Sequence, residues 1–298
     1  MVWRLFKLGG FLIKETFKKT ELYEAYKEGY KEEMNKGKYD INNQLNRSNH
    51  LLESRYMKNN NIEGKDITPK QLQYNQLVSL RKSCDVCKGL KNPSQVEKGS
   101  FDSTEIGPWT TWQGNLDSRL MLIAQDWGHV GNFIRLRGTD INSETNKTLK
   151  RLFEIADLEL TMPLSEIRKN LYFFTNAILC LKEGNDQAPV KREWYCNCGP
   201  RFLKPLIEII KPKVIICLGE KAYNTTMSSY SILPGLFRSA VDRHIPVMLN
   251  NSIAVFAVYH CGRRIRNTHR NELQQENDWR HIGKWIRDNY GGLDGKKL

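Results

Sequence analysis

Four short apolar runs punctuate the chain from about residue 76 onward. They read "RLMLIA", "LYFFTN", "KVIICLG" and "IAVFAVY", and they occupy residues 119–124, 171–176, 213–219 and 253–259. Runs of this length, rich in branched and aromatic side chains, are typical of β-strands. The pattern therefore predicts four strands, separated by segments of a different periodicity.

The segments between the strands repeat their apolar residues at helical spacing. Leu149, Leu152, Phe153 and Ala156 follow the i, i+3, i+4, i+7 pattern, and residues 202–210 do the same before the third strand. Each segment predicts a helix with one buried face. Strands that alternate with helices predict an α/β domain, here with a four-stranded parallel sheet flanked by helices.

The first 75 residues have a different character. They are rich in Lys, Glu, Asn and Tyr, and the breaks at "NKGKYDINN" and "KNNNIEGKD" predict separate helices. No side chain there suggests catalysis. We therefore predict a helical N-terminal extension over residues 1–75 and an α/β domain over residues 76–298.

Composition narrows the class of partner. The chain has 298 residues, 40% of them hydrophobic, and a formal charge of +13, which favours nucleic acid over an anionic membrane. No apolar run approaches the roughly 20 residues of a membrane span. Seven cysteines without an export signal favour metal ligation and free thiols in a reducing cytoplasm. We expect a cytoplasmic protein whose partner is a nucleic acid and not a membrane, and a monomer is favoured.

Polar side chains stand where three of the predicted strands end. Gln125 and Asp126 follow the first strand, Asn176 closes the second, and His260 follows the fourth. Each has an ordinary alternative: a helix cap, a turn residue and a core histidine. Because ligands of parallel sheets bind at the carboxyl ends of the strands, their convergence there predicts a functional site.

In these motifs the chain resembles the uracil-DNA glycosylase superfamily. "AQDWG" stands where the family has Gly-Gln-Asp-Pro-Tyr or Gly-Glu-Ala-Pro-Gly, and "FFTNAILC" is similar to the "ITNVVKC" type of the iron–sulfur branch. "VYHCGRR" matches the His of the family's His-Pro-Ser turn and departs at the next two positions. The resemblance covers residues 77–288 and implies a DNA glycosylase fold and activity.

The iron–sulfur branch implies a 4Fe-4S cluster held by four cysteines. "SCDVCKGL" supplies Cys84 and Cys87, and Cys180 follows the strand that ends in Asn. The fourth ligand falls on the helix before "FLKPL", where helical phase favours Cys198 and sequence distance allows Cys196 equally. Thiolates also suit zinc, which is the alternative metal.

The resemblance also implies roles for the polar residues. A glycosylase extracts its base from the stack, and bond cleavage leaves positive charge on the sugar and negative charge on the base. Asp126 would stabilise the sugar and orient water, while His260 and backbone N–H groups near Gln125 would hold the base oxygen. Asn176 would read the Watson–Crick edge, for which its amide offers a donor or an acceptor.

Three further positions shape the predicted pocket. Phe133, with Trp127 as its rival, is the candidate for stacking on the base, although either could be ordinary packing. Gly128 stands where one family type has a Tyr that excludes pyrimidines substituted at carbon 5, so the wall is predicted to be open.

Arginines cluster directly after the candidate catalytic histidine, in "CGRRIRNTHR". A solvated charge run is the usual alternative, but this position favours phosphate contacts and a wedge between the strands. The predicted DNA-binding residues are Arg263, Arg264 and Arg266, with Arg270 in the same cluster.

Together these features predict a monofunctional glycosylase that removes uracil or a C5-modified pyrimidine, in base-excision repair or in defence against foreign DNA. A catalytically silent nucleic-acid-binding module with the same fold and cluster is the alternative. A third reading, an unrelated iron–sulfur or zinc enzyme, would require the Asp, Asn and His to lie far apart.

Overall fold

The computed structural model describes residues 67–100, 105–107, 113–136, 143–160, 172–184 and 188–293. Within these residues the main sheet has five strands, and a separate antiparallel ribbon has two. The main sheet contains β2 (Leu120–Ala124), β3 (Tyr172–Asn176), β5 (Val214–Leu218), β6 (Val247–Leu249) and β7 (Ile253–Val258), and the ribbon pairs β1 (Leu90–Lys91) with β4 (Leu181–Lys182).

The strand order of the main sheet is β3-β2-β5-β7-β6. The first four strands in that order are parallel and coincide with the four predicted runs, whereas β6 pairs antiparallel with β7. The described sheet is thus mixed and differs from the predicted four-stranded parallel sheet by one edge strand. The short loop between β6 and β7 explains the difference. Asn250 and Asn251 in this loop both have positive φ, as in the tight type I′ hairpin turn.

Nine α-helices occur in the described residues. They are α1 (Pro69–Lys82), α2 (Val130–Leu136), α3 (Glu144–Ile155), α4 (Arg192–Cys198), α5 (Lys204–Ile210), α6 (Glu220–Ser229), α7 (Phe237–Asp242), α8 (Arg263–Thr268) and α9 (Glu272–Tyr290). A kinked 3₁₀ segment spans Pro93–Gly99.

The two helices predicted from periodicity are present, and one is more complex than expected. Helix α3 buries Leu149, Leu152 and Phe153. The predicted helix over residues 202–210 instead begins in a π-helical turn, Gly199–Leu203, which joins α4 to α5. A proline at the start of that turn lacks the N–H that a regular α-helical bond would need.

Both faces of the main sheet are covered by helices. Side chains alternate along each strand, so that Met121 and Ile123 face one apolar layer while Leu120, Leu122 and Ala124 face the other. Residues from α1, α4, α5 and α6 complete the first layer, and residues from α3 and α9 complete the second. This two-sided burial explains why the strands read as continuous apolar runs.

Residues 1–66 of the predicted N-terminal extension lie outside the described residues, so the division at residue 75 stays a prediction. The described part of that region is the start of α1, which runs across residue 75 and buries Tyr74, Leu77 and Val78. None of the described helices combines the length and the apolar character needed to cross a membrane.

Candidate active site

The turn after β2 is built around the carboxylate of Asp126. Its Oδ1 accepts the Gly128 backbone N–H at 2.7 Å, and its Oδ2 accepts the Gln125 side-chain amide at 2.7 Å. The bond to the residue two positions ahead is an Asx-turn. Gly128 has φ 83°, a left-handed conformation that favours glycine. The turn therefore holds the carboxylate in place through its own hydrogen bonds.

Strand alternation brings the three predicted polar residues to one face of the sheet. Asp126 continues the parity of Leu122 and Ala124, and Asn176 and His260 continue the corresponding parity of β3 and β7. The side chains all line one cavity of about 230 Å³. The described fold thus brings these three residues together. An unrelated iron–sulfur or zinc enzyme would have required them to lie far apart.

Both aromatic candidates line the same cavity. Phe133 is buried and packs with Val96 and Leu181, whereas Trp127 is half-buried and meets Phe174 edge-on, with ring centroids 5.5 Å apart. Each ring thus has a packing role and a surface on the cavity.

Gln125 and Gly128 are absent from the described residues that line the cavity. Both donate to the Asp126 carboxylate, one through its side-chain amide and the other through its backbone N–H. The polar side chains of Asn132, Thr145 and Asn146 do line the cavity. These three residues could not be predicted from the sequence, because polar residues are common at the start of any helix.

The ring of His260 is held as a neutral donor. Its Nδ1 accepts the Gly262 backbone N–H at 3.0 Å, so the hydrogen bond assigns the ring proton to Nε2. Burial lowers the pKa of His260, and the Asp126 carboxylate opposes that shift. The histidine is therefore uncharged at neutral pH.

Two polar atoms at the cavity have no protein partner among the described residues. Asn176 is 2% exposed, and its Oδ1 is buried without a hydrogen bond; the Nε1 of Trp127 is buried in the same way. Unpaired buried polar groups are rare in proteins and are typical of sites that a ligand completes. The amide of Asn176 is thus available to an incoming group.

A lysine that the sequence analysis did not single out also lies at the turn. The Nζ of Lys182 is 3.6 Å from Oδ1 of Asp126, and both side chains are 6% exposed. In the sequence, the lysine of "CLKEG" stands next to a glutamate like many solvated lysines. Its burial is evident only from the fold.

Comparison with known families decides the identity of this domain. A model of the uracil DNA glycosylase superfamily matches residues 111–282, which include all of the cavity residues. The chain belongs to that superfamily. Members of the uracil-DNA glycosylase superfamily are generally DNA glycosylases that act on uracil-type bases. Comparison with curated proteins gives no match to this chain.

In this uracil-DNA glycosylase superfamily domain, helix α8 begins two residues after Cys261 and carries the predicted DNA-binding arginines. Arg263 and Arg264 are exposed, whereas Arg266 is half-buried, with an Nε atom that has no partner among the described residues. Their guanidinium groups are placed close in sequence to the candidate catalytic histidine.

Arg270 differs from these three, because its side chain is only 11% exposed and engaged with carboxylates. It donates to both oxygens of Asp278, at 2.6 and 3.0 Å, and to Asp242 at 2.7 Å. Arg270 was predicted to contribute to a phosphate clamp, but its guanidinium group instead has a structural role, because it links α7 to α9.

Four cysteines of the chain line a second cavity, of about 90 Å³, on the face of the sheet opposite to Asp126. They are Cys84, Cys87, Cys180 and Cys198, whereas Cys196 is not among its described lining residues. Two guanidinium groups, of Arg81 and Arg201, line the same cavity.

The thiols of this cavity are electrostatically coupled. Burial raises the pKa of Cys180 to about 12, and Cys84 and Cys87 add to that rise. Burial likewise raises the pKa of Cys198 well above its ordinary value, with Cys180 adding to the effect. Within the described residues, no three His, Cys, Asp or Glu side chains meet closely enough to bind a metal ion.

Proposed function

We propose that this protein is a monofunctional DNA glycosylase that hydrolyses the N-glycosidic bond of a flipped uracil or C5-modified pyrimidine. The observation that carries the proposal is the cavity of about 230 Å³ that Asp126, Asn176 and His260 line together. A carboxylate, an amide and a neutral imidazole are the groups that a departing base and its sugar require.

Asp126 would act on the sugar. Its Oδ1 is already engaged by Gly128 and faces Lys182, while Oδ2 accepts one bond from Gln125 and retains a lone pair. That lone pair suits a water molecule that attacks carbon 1′ as the bond to the base breaks. The negative charge of the carboxylate stabilises the positive charge on the sugar.

His260 and Asn176 would act on the base. The Nε2 proton of His260 suits the pyrimidine oxygen on which negative charge develops, and no proton transfer is needed for that role. The buried amide of Asn176 would pair with the Watson–Crick edge, where its orientation selects a uracil-like or a cytosine-like pattern. Trp127 and Phe133 are the candidates for stacking.

The space beside the base favours a substituent at carbon 5. A side-chain Cβ placed on Gly128 meets no atom within 4 Å, so this side of the turn is open. Asn132, Thr145 and Asn146 add polar groups to the cavity wall, which suits a hydroxyl-bearing substituent. With such a base the role would be defence against foreign DNA; with uracil it would be repair.

The thiol cavity suits a 4Fe-4S cluster, which would place this protein in the iron–sulfur branch. Neighbouring thiols raise the pKa of both Cys180 and Cys198, an accumulation of thiol charge that a bound cation would offset, and Arg81 offsets charge at Cys180. The same thiols would also suit zinc, which is the alternative metal. The bound cluster would supply a structural link between the Cys84–Cys87 loop and Cys180.

The seven free cysteines also favour a location in the cytoplasm, where thiols stay reduced.

Base release tests this function directly. Double-stranded and single-stranded oligonucleotides that carry one uracil or one 5-hydroxymethyluracil are incubated with the protein, and abasic sites are cleaved with hot alkali. We expect strand breaks with wild type and none with Asp126→Asn, which should still bind the DNA. Binding without base release by wild type on both probes and on modified phage DNA would instead favour a silent DNA-binding module.

A further inference from the structure

Lys182 is held beneath the Asp126 turn by both its main chain and its side chain. Its backbone N–H donates to the carbonyl of Gly128 at 2.9 Å, and its Nζ lies 3.6 Å from Oδ1 of Asp126. In the β1–β4 ribbon it pairs with Leu90. The ribbon thus delivers an ammonium group to one particular carboxylate.

The side chains of Lys182 and Asp126 are both buried, and burying charged side chains costs free energy. Moving a charged group out of water is unfavourable, and the loss is recovered only when a partner of opposite charge lies close by. Lys182 is 5% exposed as a residue, and it is absent from the described residues that line the base cavity. Its ammonium therefore faces the carboxylate from the side away from the nucleotide.

The separation of 3.6 Å also matters. A direct hydrogen bond near 2.8 Å would occupy a lone pair of Oδ1. At the longer distance the ammonium attracts the carboxylate and leaves its oxygens available to water and sugar.

We propose that Lys182 is a positioning residue that holds the Asp126 carboxylate directed at the sugar without touching DNA. This inference rests on the proposed function, because it assigns to Asp126 the role given above. It excludes a covalent role in which the Lys182 amine attacks carbon 1′, releases the base and forms an imine.

Three variants separate this role from a general contribution to folding. Lys182→Met removes the charge at similar length, Lys182→Arg keeps a charge, and Lys91→Met removes an exposed lysine from the partner strand of the same ribbon, where it pairs with Glu183 at 3.2 Å. We expect Lys182→Met to slow single-turnover base release by roughly 10²-fold, with the dissociation constant for uracil DNA nearly unchanged. Lys182→Arg should regain a large part of the rate, and Lys91→Met should match wild type. Equal slowing by Lys182→Met and Lys91→Met, or no rescue by Arg, would overturn the proposal.

A thermal double-mutant cycle tests the pair without using activity. We expect Lys182→Met to lower Tm by roughly 5–10 °C, because it leaves a buried carboxylate unpaired. Adding Asp126→Asn should restore much of that loss. Strictly additive losses would overturn the pairing. If wild type releases no base from uracil DNA, 5-hydroxymethyluracil DNA or modified phage DNA, the proposed function fails, whereas a coupled cycle would still support the positioning of Asp126.

Borohydride trapping separates positioning from covalent chemistry. The reductant converts an imine between protein and DNA into a stable bond. We expect no trapped complex with wild type during base release. A complex that disappears in Lys182→Arg would identify the amine as the nucleophile and would overturn the positioning role.

Discussion

At the scale of single residues, the hydrogen bond between Gly262 and His260 links protonation to folding. Burial lowers the pKa of His260 in the folded chain, so the unfolded chain takes up the proton first as the pH falls. The stability that neutral His260 contributes is therefore complete above about pH 6.5 and is lost as the pH falls through the lowered pKa. We expect Tm to fall less between pH 7 and pH 5 in His260→Asn than in wild type, as thermal melts would measure. Parallel curves for the two proteins would contradict this expectation.

Gly128 combines a backbone conformation that favours glycine with open space beside it, and a mutation must separate the two effects. Its φ of 83° strains any side chain, while the space around its Cβ position is open. Gly128→Tyr should strongly reduce release of 5-hydroxymethyluracil and reduce uracil release less, because the ring fills the space that the substituent needs. Gly128→Ala is the matched control, which has the strain without the bulk. The readout is the ratio of the two release rates, and an unchanged ratio in Gly128→Tyr would refute the open wall.

The candidate site was predictable where strand ends carry unusual chemistry. Asp126, Asn176 and His260 follow apolar runs, so the parity of the strands brings them together. Lys182 could not be predicted, because its burial depends on a two-residue ribbon too short to leave a sequence pattern. Thr145 was missed for a related reason, since a hydroxyl at a helix start has many ordinary uses.

At the scale of secondary-structure elements, α9 approaches the end of α3 at a glycine. A Cβ on Gly283 would lie 2.2 Å from the carbonyl oxygen of Ala156. Gly283→Ala should therefore lower the free energy of unfolding by about 1–3 kcal/mol through overpacking, although alanine favours a helix by about 1 kcal/mol. Urea denaturation measures the change. Asn277→Ala, at an exposed position of the same helix, should stay within about 0.5 kcal/mol of wild type. A gain in stability for Gly283→Ala would contradict the close packing.

The elements themselves were largely predictable from periodicity, and the exceptions have physical causes. The four parallel strands and α3 follow from apolar spacing alone. Strand β6 is three residues long and owes its place to the turn at Asn250 and Asn251, a signal in local turn chemistry and not in hydrophobic pattern. The π-helical turn at Gly199–Leu203 changes the phase of a helix whose apolar residues still suggest regular winding.

At the scale of the whole molecule, the thiol cavity predicts a coloured protein. Purified protein should show broad visible absorbance that is lost when iron is reduced or chelated. Replacing a cavity cysteine, as in Cys180→Ser, should bleach it and lower Tm by several degrees, because a tie between segments distant in sequence is removed. Cys217→Ser is the control, since that thiol lies inside β5.

A second comparison concerns the helix that carries two cysteines. Cys198→Ser should bleach the protein, whereas Cys196→Ser should leave the colour, because Cys198 alone of the two lines the cavity. A folded, colourless protein with one equivalent of zinc would refute the cluster.

The hydrogen bonds that hold Asp126 and His260 all come from the protein's own groups. A site held by its own hydrogen bonds needs little rearrangement for base release, so we expect the slow event to be the outward rotation of one nucleotide from the double helix. The neighbours of the target base then become the main influence on turnover. Weakly stacked A·T flanks or a mispaired target should be processed faster than the same base between G·C pairs, and in single strands this dependence should largely vanish.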